Sequence, residues 1–353
     1  MKIGILTASR TDNNGTDLQA LAMQNLFQRL GATDVEIIDY VCDKIDTKQP
    51  IQITPRNLFY LFIILYNKYS HRKFRNKYFN KSKQTFDKSN IHKIPYDIIV
   101  VGSDQIWNLD LTGGDTSFFL PFTRDGLYKY SYAASLGVAK TEEWDQCYKI
   151  EELLNDFNKV SVRESSAIDA LERIGVKSNS DLDPILMGSK EDWSKFIKPV
   201  KRRKYILIYL VSFNPNAIEY AQIQAKLKGL HVIMLNAGIK HWKGIEQRYF
   251  VSVEEWLSLM SNADLIITDS YHGLSFAVLF QRDFRLFLLS SFSTNNSRMI
   301  DLVEKLKLTE YIVNSQSIVN RPIDWSKVEL SLKQLIFDSE QYVKSVINNT
   351  ICR

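Results

Sequence analysis

Cysteine is scarce in this chain, with only Cys42, Cys147 and Cys352 among 353 residues and no CxxC pair. Such widely spaced cysteines exclude a disulfide framework and a cysteine-based zinc site, and they are typical of a reducing compartment. The sequence also has no cluster of His, Cys, Asp or Glu with metal-ligand spacing. We therefore predict a protein without a bound metal.

Long apolar runs and known nucleotide or nucleic-acid signatures are also missing. No stretch approaches the roughly 20 apolar residues of a membrane span. The apolar region within the opening MKIGILTASR is too short for a signal peptide. GxGxxG is absent, so we predict no dinucleotide. The net charge of +5 fits anionic small molecules or a membrane surface. Because no dense basic stripe carries interleaved aromatics, we predict no nucleic-acid partner. The scattered cysteines, with no signal peptide or membrane span in the sequence, predict a cytoplasmic protein.

What the chain does contain is strand–helix alternation in both halves. Apolar patterns predict a strand, a helix and a strand over 3–7, 17–30 and 35–39, and again over 205–211, 216–227 and 231–235. This order predicts an α/β protein with two Rossmann-like, doubly wound domains that face a cleft. The expected divisions are an N-terminal domain 1–187, a linker 188–203, a C-terminal domain 204–325 and a C-terminal helix within 326–353. The sequence leaves open whether this C-terminal helix crosses back to the N-terminal domain.

The segment LIITDSYHGLSFAVLF, at residues 265–280, predicts a buried strand, a polar turn and a helix. His272 is then expected where the strand ends and the helix begins, the edge at which open α/β sheets bind ligands. Free N–H groups at a helix start favour an anion, and Gly273 would let the backbone approach a ligand closely. The alternative is a capped core helix with one histidine in its turn.

A second motif, DIIVVGSDQIW at residues 97–107, predicts a buried strand followed by small and polar residues. Asp104, just after this strand, could orient or deprotonate a hydroxyl group. Its alternative is an aspartate that caps a turn. Near the N-terminus, Asn13, Asn14 and Gly15 form a polar loop with a predicted tight turn at Asn14–Gly15. These residues could make polar contacts at the edge of the first sheet. The alternative is a turn and a helix cap.

Two arginines stand at predicted helix starts. Arg163 ends a predicted strand over 160–164, and Arg298 opens a helix shortly after the His272 segment. A guanidinium at such a junction is suited to bidentate binding of carboxylate or phosphate. The alternatives are an ion pair with a neighbouring acid for Arg163 and a solvent-exposed position for Arg298.

The segment from Leu58 to Lys83 begins with the nearly all-apolar LFYLFIILY and continues with many basic residues. A basic helix that carries aromatic residues can lie on an anionic membrane face. We favour the alternative, a buried helix followed by a solvated basic helix, because basic runs are usually solvated faces.

Six segments together resemble one family, the polysaccharide pyruvyl transferases, over nearly the whole chain. They are NNGxxLQAxA (13–22), YDIIVVGSDQIWN (96–108), YSYAASLG (130–137), SVRE (161–164), LDPILM (182–187) and ITDSYHG (267–273). The resemblance implies a fold like that of GT-B glycosyltransferases. It also implies transfer of pyruvate from phosphoenolpyruvate, as donor substrate and without a cofactor, to a sugar of a cell-surface polysaccharide or its lipid-linked precursor. The product would be a pyruvate ketal.

By position, His272 matches the family's candidate general acid or base, and Arg163 matches an arginine expected to hold phosphate or carboxylate. Many members carry a basic residue before the His–Gly pair, whereas this chain has Ser270–Tyr271, so donor binding would depend more on Arg163, with help from Arg298. The expected donor-side residues are Arg163, Ser270, Tyr271, Gly273 and Arg298. With Asp104 as the catalytic base, the expected acceptor-side residues are Asn13, Asn14, Gly15, Ser103 and Gln105.

Two other functions remain open at this point. A GT-B-type glycosyltransferase that uses a nucleotide sugar has the same kind of fold, and fold does not determine function. A non-catalytic protein that binds membranes through Leu58–Lys83 is the third hypothesis. Contact between this segment and the inner face of the membrane is also compatible with pyruvyl transfer to a lipid-linked acceptor.

Overall fold

The computed structural model describes residues 1–46, 58–137, 140–198, 204–235, 241–289, 296–313 and 321–348. The chain divides into two compact units. The N-terminal unit draws its residues from 1–50, 75–187 and 332–353, and the C-terminal unit from 51–74 and 188–331. Residues 199–203 of the predicted linker and the last five residues of the predicted C-terminal helix lie outside the described residues.

The N-terminal unit is built on a five-stranded parallel sheet with the strand order β3-β2-β1-β4-β5 and on a separate pair, β6-β7. Its strands are β1 Lys2–Leu6, β2 Asp34–Tyr40, β3 Lys81–Phe86, β4 Ile98–Val101, β5 Tyr128–Ser131, β6 Ser161–Val162 and β7 Asn179–Ser180. Every residue of β4 is buried, as its continuous Ile/Val sequence predicts for a strand covered on both faces.

The C-terminal unit repeats this plan with the order β10-β9-β8-β11-β12, again entirely parallel. Its strands are β8 Tyr205–Tyr209, β9 His231–Leu235, β10 Glu246–Arg248, β11 Leu265–Thr268 and β12 Phe284–Leu286. Parallel neighbours need crossover connections, and the helix Pro215–Lys228 supplies the one between β8 and β9.

Both sheets reverse their strand order at one point, between β1 and β4 in the first and between β8 and β11 in the second. The helices are α1 Asn14–Arg29, α2 Asp43–Asp46, α3 Leu58–Tyr78, α4 Leu109–Thr112, α5 Thr141–Tyr148, α6 Ile150–Asn155, α7 Ser165–Glu172, α8 Lys190–Ser194, α9 Pro215–Lys228, α10 Val253–Asn262, α11 Tyr271–Leu279, α12 Ser297–Lys305 and α13 Trp325–Asn348. At a reversal the helices leave on opposite faces, and the strand ends open a crevice. The predicted site residues after β1, β4 and β11 all follow strands at these points.

Several local predictions were wrong. The tight turn at Asn14–Gly15 is the first turn of α1, because the Asn13 side chain caps the helix. Strands β3, β7 and β10 were not predicted at all. Among the described helices, none is both long and apolar enough to cross a bilayer.

Candidate active site

In the C-terminal unit, His272 lies in the first turn of α11, directly after the carboxyl end of β11. The Ser270 hydroxyl caps this helix by accepting a hydrogen bond from the Gly273 N–H at 3.3 Å. The Thr268 hydroxyl oxygen accepts from the Ser270 N–H at 3.0 Å and so orients the capping residue. His272 is buried, and its place at the strand–helix junction is the one that the sequence predicts.

Two predicted donor-side residues lie beside His272. The rings of Tyr271 and His272 meet edge to face, with centroids 5.7 Å apart. The guanidinium of Arg298, in the first turn of α12, lies 5.5 Å from the centroid of the Tyr271 ring, within cation–π range. All three side chains are buried. The structure therefore brings a cation, an aromatic ring and an imidazole together where two helices begin.

Asp269 joins the two strands at this reversal, a role that was not predicted. Its carboxylate accepts hydrogen bonds from the Val211 N–H at 2.6 Å, and from the Ser212 N–H at 3.1 Å and hydroxyl at 2.7 Å. Burial raises the pKa of Asp269, and these hydrogen bonds oppose the rise. Because Val211 and Ser212 follow β8, the carboxylate ties the end of β8 to the start of the His272 turn.

Gly273 has a packing role in this turn. A Cβ atom at this position would overlap the Thr268 hydroxyl and lie 3.0 Å from the Tyr209 ring. The absence of a side chain lets the first turn of α11 sit against the ends of β8 and β11. The predicted approach of a ligand to Gly273 stays a prediction.

In the N-terminal unit, the loops after β1 and β4 are brought together. The Asn13 side chain accepts hydrogen bonds from the N–H groups of Gly15 at 2.8 Å and Thr16 at 3.3 Å. The Thr16 hydroxyl then donates to the Asp104 carboxylate at 3.0 Å, and the Gln105 N–H donates to its other oxygen at 2.8 Å. Asp104 is half-buried. The predicted acceptor loop and the predicted base are therefore neighbours.

Arg163 forms the alternative contact that the sequence left open, a buried ion pair. Its Nη2 lies 3.1 Å from a carboxylate oxygen of Asp183 and donates to the Ser103 hydroxyl at 2.6 Å. Arg163, Asp183 and Ser103 are all buried. Because Ser103 follows β4, this hydrogen bond connects Arg163 to the loop at the end of that strand. A direct contact between Arg163 and a donor stays a prediction.

The neighbouring Glu164 holds another of the recognised segments. One of its carboxylate oxygens accepts from the Ser135 hydroxyl at 3.1 Å, the Leu136 N–H at 3.0 Å and the Gly137 N–H at 3.1 Å. The SVRE segment therefore contacts two other segments. Glu164 accepts hydrogen bonds from YAASLG, and Arg163 donates one to GSD through Ser103. No role was predicted from the sequence for Asp183, Glu164 or Asp269, although each lies within one of the six segments that resemble the family.

Gly102, before Ser103, is expected to tolerate no side chain. Its φ is +131°, and an added Cβ would overlap the Tyr132 carbonyl oxygen. We expect Gly102→Ala to lower the free energy of unfolding by about 1–3 kcal/mol more than Gly31→Ala. Gly31 is a matched control because its φ is +111° and no atom lies within 4 Å of the added Cβ. Urea denaturation measures both variants, and equal losses would contradict the overlap.

No group of three or more His, Cys, Asp or Glu side chains suited to a metal ion occurs in the described parts of the chain. A cavity of about 530 Å³ lies in the N-terminal unit, apart from the predicted residues. Its volume is within the range of small-ligand pockets. Its lining residues are Asp43, Lys44, Lys88, Thr112, Gly113, Gly114 and Asp115.

Two solved structures with a similar fold are described as UDP-N-acetylglucosamine 2-epimerases. A Listeria monocytogenes protein assigned as a UDP-N-acetylglucosamine 2-epimerase matches with a TM-score of 0.52 and 8% identity, covering 98% of this chain and 90% of that one. The UDP-GlcNAc 2-epimerase of Neisseria meningitidis, bound to UDP-GlcNAc, matches with a TM-score of 0.51 and 11% identity over 99% of both chains. The likeness confirms the predicted class, a GT-B-type α/β protein with two Rossmann-like units.

The family is shown by the sequence. The model of the family described as polysaccharide pyruvyl transferase matches residues 13–291, more than half of the chain. The chain belongs to the polysaccharide pyruvyl transferase family, which confirms the predicted resemblance. No curated protein matches it.

Proposed function

We propose that this protein transfers pyruvate from phosphoenolpyruvate to a sugar of a cell-surface polysaccharide or of its lipid-linked precursor, with release of phosphate. Family membership supports a transferase that acts on a polysaccharide. We choose phosphoenolpyruvate as the donor because His272, Tyr271 and Arg298 lie together at the N-terminal ends of α11 and α12.

The donor side of the proposal lies in the C-terminal unit. Phosphoenolpyruvate carries a phosphate and a carboxylate, and both favour helix N-termini and cationic side chains. The N-terminal turns of α11 and α12 provide N–H groups, and Arg298 adds a positive charge. The Ser270 cap and the ring of Tyr271 hold this region in place. These are the groups that a small, multiply charged anion requires.

The acceptor side of the proposal lies in the N-terminal unit. Asp104 can act as the base that takes a proton from a sugar hydroxyl. A carboxylate has about four lone-pair positions for hydrogen bonds, so it can bind that hydroxyl in addition to Thr16 and Gln105. Thr16 and the Gln105 N–H orient this carboxylate. Asn13, the cap of α1, and Asn14, its first residue, add polar side chains that suit hydroxyl recognition.

The proposed reaction balances with these groups. His272 donates a proton to the methylene carbon of phosphoenolpyruvate, which makes C2 electrophilic. A sugar hydroxyl attacks C2 and gives its proton to Asp104, and the C2–O bond to phosphate breaks. A second hydroxyl of the same sugar then adds to C2 with loss of its proton and closes the ketal. The net change converts phosphoenolpyruvate and a diol into the ketal and inorganic phosphate.

Donor choice is tested by binding before the acceptor is known. We expect phosphoenolpyruvate to raise the melting temperature of the full chain, because a ligand that binds only the folded state stabilises it by about 2.7 kcal/mol at a hundredfold excess over Kd. Inorganic phosphate should have a smaller effect and UDP-N-acetylglucosamine none. Stabilisation by nucleotide sugars alone would contradict the proposal and favour a glycosyltransferase.

Turnover gives the second readout. With phosphoenolpyruvate and a panel of polysaccharide fragments, phosphate release should require a sugar acceptor, and the ketal should appear in equal amount.

We retain a cytoplasmic location as part of the proposal, since scattered cysteines are typical of a reducing compartment. The acceptor proposed there is a lipid-linked oligosaccharide.

A further inference from the structure

Helix α3 exposes a line of large apolar side chains to solvent. Leu58, Phe62, Leu65 and Tyr69 follow the i, i+4, i+7, i+11 spacing, which places them on one face of a helix. Their exposed fractions range from 46% for Leu58 to 62% for Tyr69. We name these four residues the α3 stripe. Single exposed apolar residues are ordinary, whereas a contiguous group marks an interaction surface.

The opposite face of the same helix is buried, so the stripe is the outward side. Ile63, Ser70, His71 and Phe74 are all buried. The preferred sequence interpretation, a buried apolar helix, is therefore wrong for this face. The helix carries enough apolar residues to cover both its packed side and its solvent side.

Aromatic residues of the C-terminal unit widen the apolar surface next to the stripe. The Phe59 ring meets the rings of Tyr249 and Phe250 edge to face, with centroids 5.3 and 5.9 Å apart. Tyr66 contacts Phe250 in the same way at 5.3 Å. Phe250 and Phe59 are themselves exposed. These contacts hold the first turns of α3 in a defined orientation, which favours docking without a large loss of conformational entropy.

The charge on α3 has one sign. No Asp or Glu occurs in the 21 residues Leu58–Tyr78. Arg72 and Lys73 continue the solvent-facing side beyond Tyr69, and Lys68 flanks it. Within the described part of the chain, none of these three residues forms an ion pair, whereas Arg75 on the packed face pairs with Asp17 at 3.1 Å. The exposed cations therefore face solvent without neutralising neighbours.

We propose that the α3 stripe and its flanking cations dock on an anionic lipid bilayer. Apolar and aromatic side chains on one face, followed by Lys and Arg, are the features of a helix that lies in the membrane interface. A second copy of the same face would offer these cations no acidic partner on α3, so it gives no charge complementarity. An anionic bilayer accepts both the apolar line and the cations. This proposal concerns membrane binding and does not depend on the donor substrate.

The test is co-sedimentation of the full chain with phosphatidylcholine vesicles that contain or lack phosphatidylglycerol. We expect binding to the anionic vesicles. Phe62→Ser with Leu65→Ser should lower the partition coefficient at least tenfold, because two large side chains no longer enter the bilayer. The matched control is Leu227→Ser with Leu330→Ser, which removes two leucines that are even more exposed than the stripe residues, and it should change nothing.

A second pair of variants tests the charges. Arg72→Gln with Lys73→Gln should lower the partition coefficient about fivefold per removed charge on anionic vesicles, and the effect should shrink with salt. Lys226→Gln with Lys228→Gln in α9 is the charge-matched control. Absent binding by the unaltered protein, or equal binding by the stripe variant, would overturn the proposal. A stripe variant that converts a dimer to a monomer in light scattering would assign the surface to a second copy instead.

Discussion

His272→Gln should reduce the rate of acceptor-dependent phosphate release from phosphoenolpyruvate by about 10²–10⁴-fold, the usual contribution of a general acid or base. Glutamine keeps hydrogen-bonding capacity and helical preference but cannot transfer the proton. In the proposed mechanism the first step is protonation of carbon, for which water is a poor substitute, so kcat should fall more than binding of the donor. Steady-state phosphate release with the full chain measures this effect.

His231→Gln is the matched control for that variant. His231 is exposed at the start of β9 in the same unit, so the same chemical change there should leave kcat unaltered. Melting temperatures of both variants should stay close to that of the unaltered protein. Turnover of His272→Gln at the normal rate, with a normal melting temperature, would remove His272 from the catalytic step and with it the proposed mechanism.

Arg163→Met should destabilise the N-terminal unit by about 3–5 kcal/mol, because it leaves the buried Asp183 carboxylate without its counter-ion. Arg163→Met with Asp183→Asn should recover most of this loss, since neither charge then remains buried. The control is Arg173→Met, which breaks the exposed pair with Glu142 and should change stability by less than about 1 kcal/mol. Urea denaturation followed by tryptophan fluorescence measures all three.

The double variant also tests the predicted contact between Arg163 and the donor. If the arginine holds phosphate or carboxylate, the KM for phosphoenolpyruvate should stay raised even after stability is recovered. A KM equal to that of the unaltered protein would assign Arg163 to the support of Ser103 and the β4 loop. Stability of Arg163→Met equal to that of Arg173→Met would contradict the buried ion pair itself.

The positions of the predicted site residues follow from strand order more than from their chemistry. Asn13–Gly15 follow β1, Ser103–Gln105 follow β4 and Ser270–Gly273 follow β11. Each of these strands borders the point at which its sheet reverses. Carboxyl ends of parallel strands meet at one edge, so loops far apart in the chain become neighbours there. Asp104 and Thr16, 88 positions apart, are bonded for this reason.

Strands and helices with a strong local signal were predictable from the residues alone. β4 is the run IIVV, and α11 follows a Ser270 cap that the polar turn predicts. Buried strands and capped helices carry their own pattern, because apolar continuity and capping side chains are local properties. The three missed strands, β3 KSKQTF, β7 NS and β10 EQR, lie at sheet edges and are mostly polar. Edge strands gain their structure from a neighbour, and polar side chains on them leave no local pattern.

Local pattern was thus sufficient for the α/β class, the repeated strand–helix plan and the turn that carries His272. Which partners the buried charges find was not contained in any window of sequence. Arg163 meets Asp183, and Asp269 meets Val211 and Ser212, only because β-sheet pairing closes separations of 20 to more than 50 residues. The outward face of α3 was hidden for the same reason, since an apolar helix is covered or exposed according to what packs against it.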